Sequence, residues 1–299
     1  MNTTPTAAPT AFSHGGTRAA VYDAFHAARA RSDLPARLYA AAMGDDNPSE
    51  IAASSSCDWP LLALMTARLR MVPGQLLVDA GCGTGGVGLW LACALNVRLD
   101  GFDLSTVAVQ EATGRRRHFL GEQSDRAAFR VAELEETSLP DGCAHGIVCV
   151  NALSGGIDKA TVVYELGRLL APGGRLVTTR SLRPGTSPPW QDQARAAGLQ
   201  VEQVDERPGE PGMWQQLYQL WIEHADDLRR ELGKEQERSM LAEAHQMLPA
   251  LSRRRAVLLT LHRPTAATAD PVASGAADTM AMPDRRPGGR PTPLGRTPQ

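Results

Sequence analysis

Asp79 stands next to last in the apolar run LLVDA, which is followed at once by Gly81, Gly83, Gly85 and Gly86 in the stretch GCGTGG. Glycines placed directly after a strand let the backbone turn tightly, and they let a ligand approach the N-terminus of the next helix without side chains in the way. Gly81, Gly83 and Gly86 also satisfy the spacing G-x-G-x-x-G, and Asp103 stands about twenty residues further on, where a carboxylate can grip ribose hydroxyls. Many nucleotides could use such a loop. Asp79 discriminates among them, because a pyrophosphate needs donors and positive potential whereas a carboxylate at the loop's mouth suits a cation.

S-Adenosylmethionine meets that requirement: it has no phosphate, carries an ammonium and a sulfonium, and keeps a ribose for Asp103. Asp79 is expected to face its positive methionyl end. A nicotinamide cofactor on the same glycines is the alternative, and it would make the chain an NAD(P)-dependent oxidoreductase.

The elements that must position these groups follow from periodicity. Residues 17–42 carry Val21, Tyr22, Phe25, Leu34, Leu38 and Tyr39 at helical spacing, interrupted by Pro35, and Asp58 is placed to cap a second apolar helix running to residue 70. From residue 75 short apolar strands alternate with helices: QLLVDA, VRLDGFD, FRVAEL, HGIVCVNAL and RLVTTRS read as strands, and APGG as the turn before the last of them. That rhythm predicts a parallel, doubly wound sheet. Residues 190–197 read as a further helix, LQVEQV as a strand, 212–248 as helical, and AVLLTLH as the final strand.

DAGCGTG resembles the first motif of class I S-adenosylmethionine-dependent methyltransferases, an acid followed by G-x-G-x-G, met here by Asp79, Gly81, Gly83 and Gly85 with Cys82 between them. GFDLS is similar to the family's acidic second-strand end, with Asp103 on the ribose diol and Leu104 and Ser105 beside it. In AELEETSLPDG, Glu133 and Leu134 fall where the family places an acid and a backbone amide at the adenine, and LLAPGGRLVTT resembles the turn before strand five. The resemblance covers about 75–180 and implies a Rossmann-like seven-stranded α/β sheet, with Asn151 near the sulfonium. The bacterial methyltransferases of specialised metabolism are the nearest type, through their helical insertion before the last strand. The expected organisation is a disordered N-terminus at 1–16, a helical cap at 17–72, the cofactor-binding core at 73–205 and a helical insertion acting as substrate lid at 206–252. The last core strand at 253–263 and a disordered tail at 264–299 follow.

Two departures matter. His145 stands where many relatives carry an acid, with local consequences only, and 151–156 (NALSGG) replaces the segment that often supplies a catalytic histidine. Methyl transfer from a sulfonium has a neutral leaving group, so a base is needed only where the nucleophile must lose its proton early. The missing histidine tilts the expectation towards nitrogen or carbon acceptors over oxygen. Candidate catalytic groups come instead from the cap, Tyr22 and His26, with His14 and Tyr39 behind them. Trp214, Tyr218 and Trp221 share one helical face and, with Trp59, could wall a flat or cationic substrate, although packing is the commoner use of such a stripe. Ser187-Pro188-Pro189-Trp190 imitates the [DNS]-P-P-[YFW] motif of amino-methyltransferases but follows strand five, where that motif does not work.

Composition excludes other classes. With 31 Lys and Arg against 33 Asp and Glu, the net charge of -2 lacks the field that nucleic acid or an anionic membrane surface requires. The arginine runs 115–117 and 253–255 read as solvated surface. The five cysteines form no CxxC pair and sit mostly in apolar runs, which fits a reduced, cytoplasmic chain without a metal. No stretch reaches the length of a membrane span, and no hydrolase, P-loop or zincin motif occurs. A small-molecule substrate and a monomer or homodimer are expected, and a methyltransferase fold with a non-methylating role such as cyclisation is the remaining alternative.

Overall fold

The Thr17 hydroxyl accepts a hydrogen bond from the Ala20 amide and so caps α1 (Arg18–Arg29). The computed structural model describes residues 17–153, 157–183 and 185–265; the expected disordered N-terminus, His14 and all but the start of the tail at 264–299 lie outside them. The helix α2 (Leu34–Met43) carries Pro35 in its first turn, where a missing N–H is harmless, so the break falls ahead of the proline rather than on it. Asp58 caps α3 (Trp59–Leu69), its Oδ1 accepting from the Leu61 amide at 2.7 Å. Such a cap is worth about 1 kcal/mol.

Strands and helices then alternate: β1 (Leu76–Ala80), α4 (Gly86–Ala94), β2 (Arg98–Asp103), α5 (Thr106–Leu120), β3 (Ala127–Val131), β4 (Ala144–Cys149), α6 (Lys159–Leu169), β5 (Leu170–Leu182), α7 (Trp190–Ala196) and β6 (Gln200–Glu206). The helical stretch read at 212–248 resolves into α8 (Glu210–Glu223), α9 (Ala225–Leu232) and α10 (Lys234–Leu251), and β7 (Arg255–His262) follows. Together the strands make one seven-stranded sheet in the order β3-β2-β1-β4-β5-β7-β6. β1 to β5 are parallel, as the alternation of strands and helices predicts, and β7, whose direction the alternation does not fix, is antiparallel to both β5 and β6. The reason is geometric: the insertion returns the chain to the end of the sheet where β6 stopped, with Arg255 beside Leu182, so β7 can only run back.

One correction concerns Ala171-Pro172-Gly173-Gly174, which belongs to β5 instead of preceding it. Leu170 pairs with Ala144 before the register shifts to Gly146 opposite Arg175. A Cβ on Gly174 would stand 2.9 Å from the Ala171 carbonyl oxygen and 3.0 Å from that of His145, so the bulge excludes larger residues. His145 itself is local, as expected: its Nδ1 accepts from the Leu76 amide at 3.3 Å.

Alternate strand residues feed opposite layers. Val78, Ile147, Leu176 and Leu259 pack with Val162 and Leu166 of α6 and Trp190 of α7. Leu77, Val148, Val177 and Leu258 pack with Leu61 and Met65 of α3 and Leu89 and Leu91 of α4. Trp190 is thus core, consistent with setting its motif aside. A third core joins Leu38 and Tyr39 of α2 to Leu217, Tyr218 and Trp221 of α8 and Met240 and Ala244 of α10. Cap and insertion therefore stabilise each other. Among the cysteines, Cys57, Cys82 and Cys149 are buried, Cys143 is intermediate, and Cys93 is exposed, against the expectation for its run.

Candidate functional site

The glycine loop is built by backbone geometry. Gly81, Gly83 and Gly85 have φ of 74°, 51° and 77°, conformations that side chains resist, and the amides of Gly81 and Cys82 both donate to the Phe102 carbonyl oxygen at 2.9 Å. Asp103 fastens the loop further: its Oδ2 accepts from the Gly83 amide and its Oδ1 from the Ser105 amide, both at 2.9 Å. Asp79 lies beneath the start of α4, 2% exposed, with Oδ2 accepting from the Gly88 amide at 3.0 Å. Burial raises its carboxyl pKa to about 7, the Gly88 amide opposing and the Asp103 charge adding to the rise.

A cavity opens over this loop. From the core it is lined by Asp79, Gly81, Cys82, Gly83, Thr84, Gly86 and Val87, and from the second strand's end by Phe102, Asp103 and Leu104. Leu134 and Ala132 close the side beyond β3, and Val150, Asn151, Ala152 and Ile157 the side beyond β4. The cap contributes Arg18, Tyr22, Phe25 and His26 from α1, together with Ala53, Ser54 and Ser55. Asn151 has φ of 54°; its amide donates to Thr179 Oγ1 at 2.7 Å and its Oδ1 accepts from the Ser56 hydroxyl at 2.9 Å. His26 is buried edge-on against Phe25 at 5.0 Å between centroids, and burial lowers its pKa. Tyr22 beside it is shifted upward, by burial first and then by the Asp103 charge.

Six expected site residues stand apart from this cavity. Glu133 is paired at 3.1 Å with Arg18, and the Arg18 guanidinium, also held by Glu135, is what reaches the wall. Gly85 serves packing, since a Cβ there would meet Ala112 at 2.8 Å. Trp59 lies on Trp90 at 5.8 Å. Trp214 packs against Tyr39 and Tyr218, and Tyr218 edge-on against Trp221, with the Tyr218 hydroxyl donating to Glu243 at 2.9 Å, so Tyr218 and Trp221 are buried between helices and Trp214 is partly buried beside them.

Sequence reasoning missed several groups that shape the site. Arg115, read as solvated surface, donates to Thr84 O at 3.0 Å and to the carbonyls of Glu50 and Ile51 at 2.7 and 2.9 Å, clamping the 50–55 segment onto the glycine loop. Arg116 donates to Ala127 O at 3.0 Å. Nothing in a run of three arginines distinguishes a clamp from a solvated face. Gly88 and the Arg18–Glu135 pair were equally silent. Among the described residues no group of His, Cys, Asp and Glu could hold a metal ion, and no helix is long and apolar enough to cross a membrane.

The strand order, the antiparallel β7, and a glycine loop flanked by carboxylates at the ends of β1 and β2 define the class I S-adenosylmethionine-dependent methyltransferase fold. Residues 77–174 match the model of a family described as methyltransferase domain. Among curated proteins the chain is similar to 27-O-demethylrifamycin SV methyltransferase of Amycolatopsis mediterranei, 30% identical over 112 residues, covering 38% of this chain and 40% of that one. The matched segments span 40% to 50% of the lengths of the first curated relatives. Among solved structures, the cyclase SpnF has 20% identity and a TM-score of 0.62 over 78% of this chain and 94% of that chain. A phosphoethanolamine N-methyltransferase 2 from Haemonchus contortus, solved with S-adenosylhomocysteine, has 15% identity and a TM-score of 0.61 over 82% of this chain and 60% of that chain.

Proposed function

We propose that the protein transfers the methyl group of S-adenosylmethionine to a nitrogen, carbon or oxygen atom of a small metabolite in natural-product biosynthesis. Asp79, Gly81, Cys82 and Gly83 would hold the methionyl part, Asp103 and Leu104 the ribose, and Leu134 the adenine, with Asn151 near the sulfonium. The supporting observation is the buried Asp79 carboxylate: it lines the cavity, and the other charge bearing on it is a second carboxylate, Asp103. A cationic ligand relieves that crowding, whereas the pyrophosphate of a nicotinamide cofactor aggravates it. The rifamycin-modifying relative supports the substrate class.

When bound, the cofactor supplies an electrophilic methyl on a neutral leaving group, and the chain's own residues orient the nucleophile and exclude water. His26, neutral through burial, can take a proton from an acceptor hydroxyl. The tilt towards nitrogen and carbon acceptors rests on the lack of a histidine after β4, and His26 in the cavity wall is the base that an oxygen acceptor would use instead.

Titration calorimetry with S-adenosylhomocysteine and with NAD separates the cofactor readings, and binding of NAD alone would reverse the proposal. Because a cyclase shares this fold, binding must be followed by incubation with methyl-labelled cofactor and candidate metabolites. Label that stays on the cofactor with every acceptor would favour a non-methylating role.

A further inference from the structure

Arg180 lies near the end of β5, one residue past Thr179, whose hydroxyl holds the amide of the cavity residue Asn151. Its side chain is buried, 7% exposed. Nη2 donates to Gln193 Oε1 on α7 at 3.0 Å, while Nη1, also buried, has no hydrogen-bond partner. Lys159 opens α6, two residues past Ile157 in the cavity wall. It is half-buried, and the charges of Arg180, Arg254 and Arg183 all press on it.

Among the described residues no carboxylate is hydrogen-bonded or ion-paired to Arg180 or Lys159. Asp158, the adjacent carboxylate, is spent capping α6 through the Ala160 amide at 3.0 Å and the Thr161 hydroxyl at 2.7 Å. Glu210 and Glu243 face Arg254 from the insertion, but Glu210 also faces Arg207 and Glu243 also faces Arg29. Positive charge is therefore in excess where β5 ends and α6 begins, beside the wall of the cavity. Desolvated guanidinium and ammonium groups in such an arrangement bind anionic oxygens far better than neutral ones.

We propose that the methyl acceptor carries an anionic oxygen group, a carboxylate or a phosphate, and that Arg180 and Lys159 hold it at the junction of β5 and α6. This rests on the methyl-transfer reading and deepens its acceptor side. Arg180 supplies the fixed, preoriented donor and Lys159 the adjustable one, so the anion anchors the acceptor while its nucleophile lies towards the cavity.

The test uses the full chain with saturating S-adenosylhomocysteine, titrated with phenyl phosphate, benzoate and the neutral benzamide. One of the two anions should bind about ten-fold or more tightly than benzamide, and the tighter of them identifies the group. Lys159→Gln and Arg180→Gln should each weaken that anion about ten-fold while S-adenosylhomocysteine affinity stays within about two-fold. If loss of the buried Arg180 unfolds the chain, Lys159→Gln and Arg183→Gln, both nearer the surface, carry the comparison. Benzamide binding as well as the anions, no anion binding at millimolar concentration, or an anion affinity unmoved by Lys159→Gln overturns the proposal. Wild-type protein that binds anions selectively but not S-adenosylhomocysteine would uphold the anion site and sink the methyl-transfer reading instead.

Discussion

The Gly88 amide donates to Asp79 Oδ2 at 3.0 Å, and a Cβ added at residue 88 would stand 2.5 Å from that same oxygen. Residue 88 therefore fixes where the cavity's buried carboxylate points. Gly88→Ala forces the Asp79 side chain to move, and S-adenosylhomocysteine affinity should fall about ten-fold or more. Calorimetry on folded variant decides it; an unchanged dissociation constant would show that the position of Asp79 is immaterial to the ligand.

Asp79 also gives the protein a pH signature. Its carboxyl stays protonated to about 7 in the folded chain, chiefly through burial, but ionises near 3.8 when unfolded. Between those values the folded state binds more protons than the unfolded one, so stability is fullest on the acid side and falls as pH rises towards 7. The loss is on the order of 4 kcal/mol for this group alone. A cationic ligand favours the ionised form, so binding should expel a proton and tighten as pH passes through neutrality. Calorimetry in two buffers of different ionisation enthalpy reads that proton directly, and Asp79→Asn should abolish it. A proton count of zero for the wild type would contradict the assigned role.

His26 should matter to turnover more than to binding. For an oxygen acceptor, His26→Gln is expected to lower kcat by about a hundred-fold or more with KM little changed. The acid limb of the wild-type kcat profile should lie below the ordinary imidazole value, because burial keeps the ring neutral. If that limb survives in His26→Gln, another group is the base.

Arg115→Ala removes the donors that bind the 50–55 segment to Thr84. Leaving those carbonyls unpaired should cost about 2 kcal/mol, or roughly 4 to 8 °C in Tm for a domain of this size. Cofactor affinity should weaken as well, since Ser54 and Ser55 would lose their support. A thermal melt superimposable on the wild type would show that Arg115 is dispensable.

Legibility in the sequence follows locality. Asp79 among its glycines was readable because a charge at the mouth of a flexible loop is chemically unusual, and Asp58 because a cap acts on its own next turn. The core strands declared themselves by alternation with helices, yet the direction of β7 was silent, being set by where the 207–254 segment returns. The aromatic stripe on α8 announced one buried face without saying what buries it; the partners are α2 and α10, distant in sequence. Glu133 fell in the expected loop, but its direction depends on Arg18, more than a hundred residues away.

The way α1 is attached bears on how a ligand enters. Four of its side chains roof the glycine loop, but its first half is moored by Arg18 to Glu133 and Glu135 and by Asp23 to the Ser105 hydroxyl at 2.6 Å. Such partly exposed polar moorings release at little expense, roughly 0 to 1 kcal/mol for each ion pair, and dissolved ions loosen them. The roof is thus tied down with knots that water can undo, and traffic into the chamber should quicken with ionic strength while the oily framework beneath stays shut.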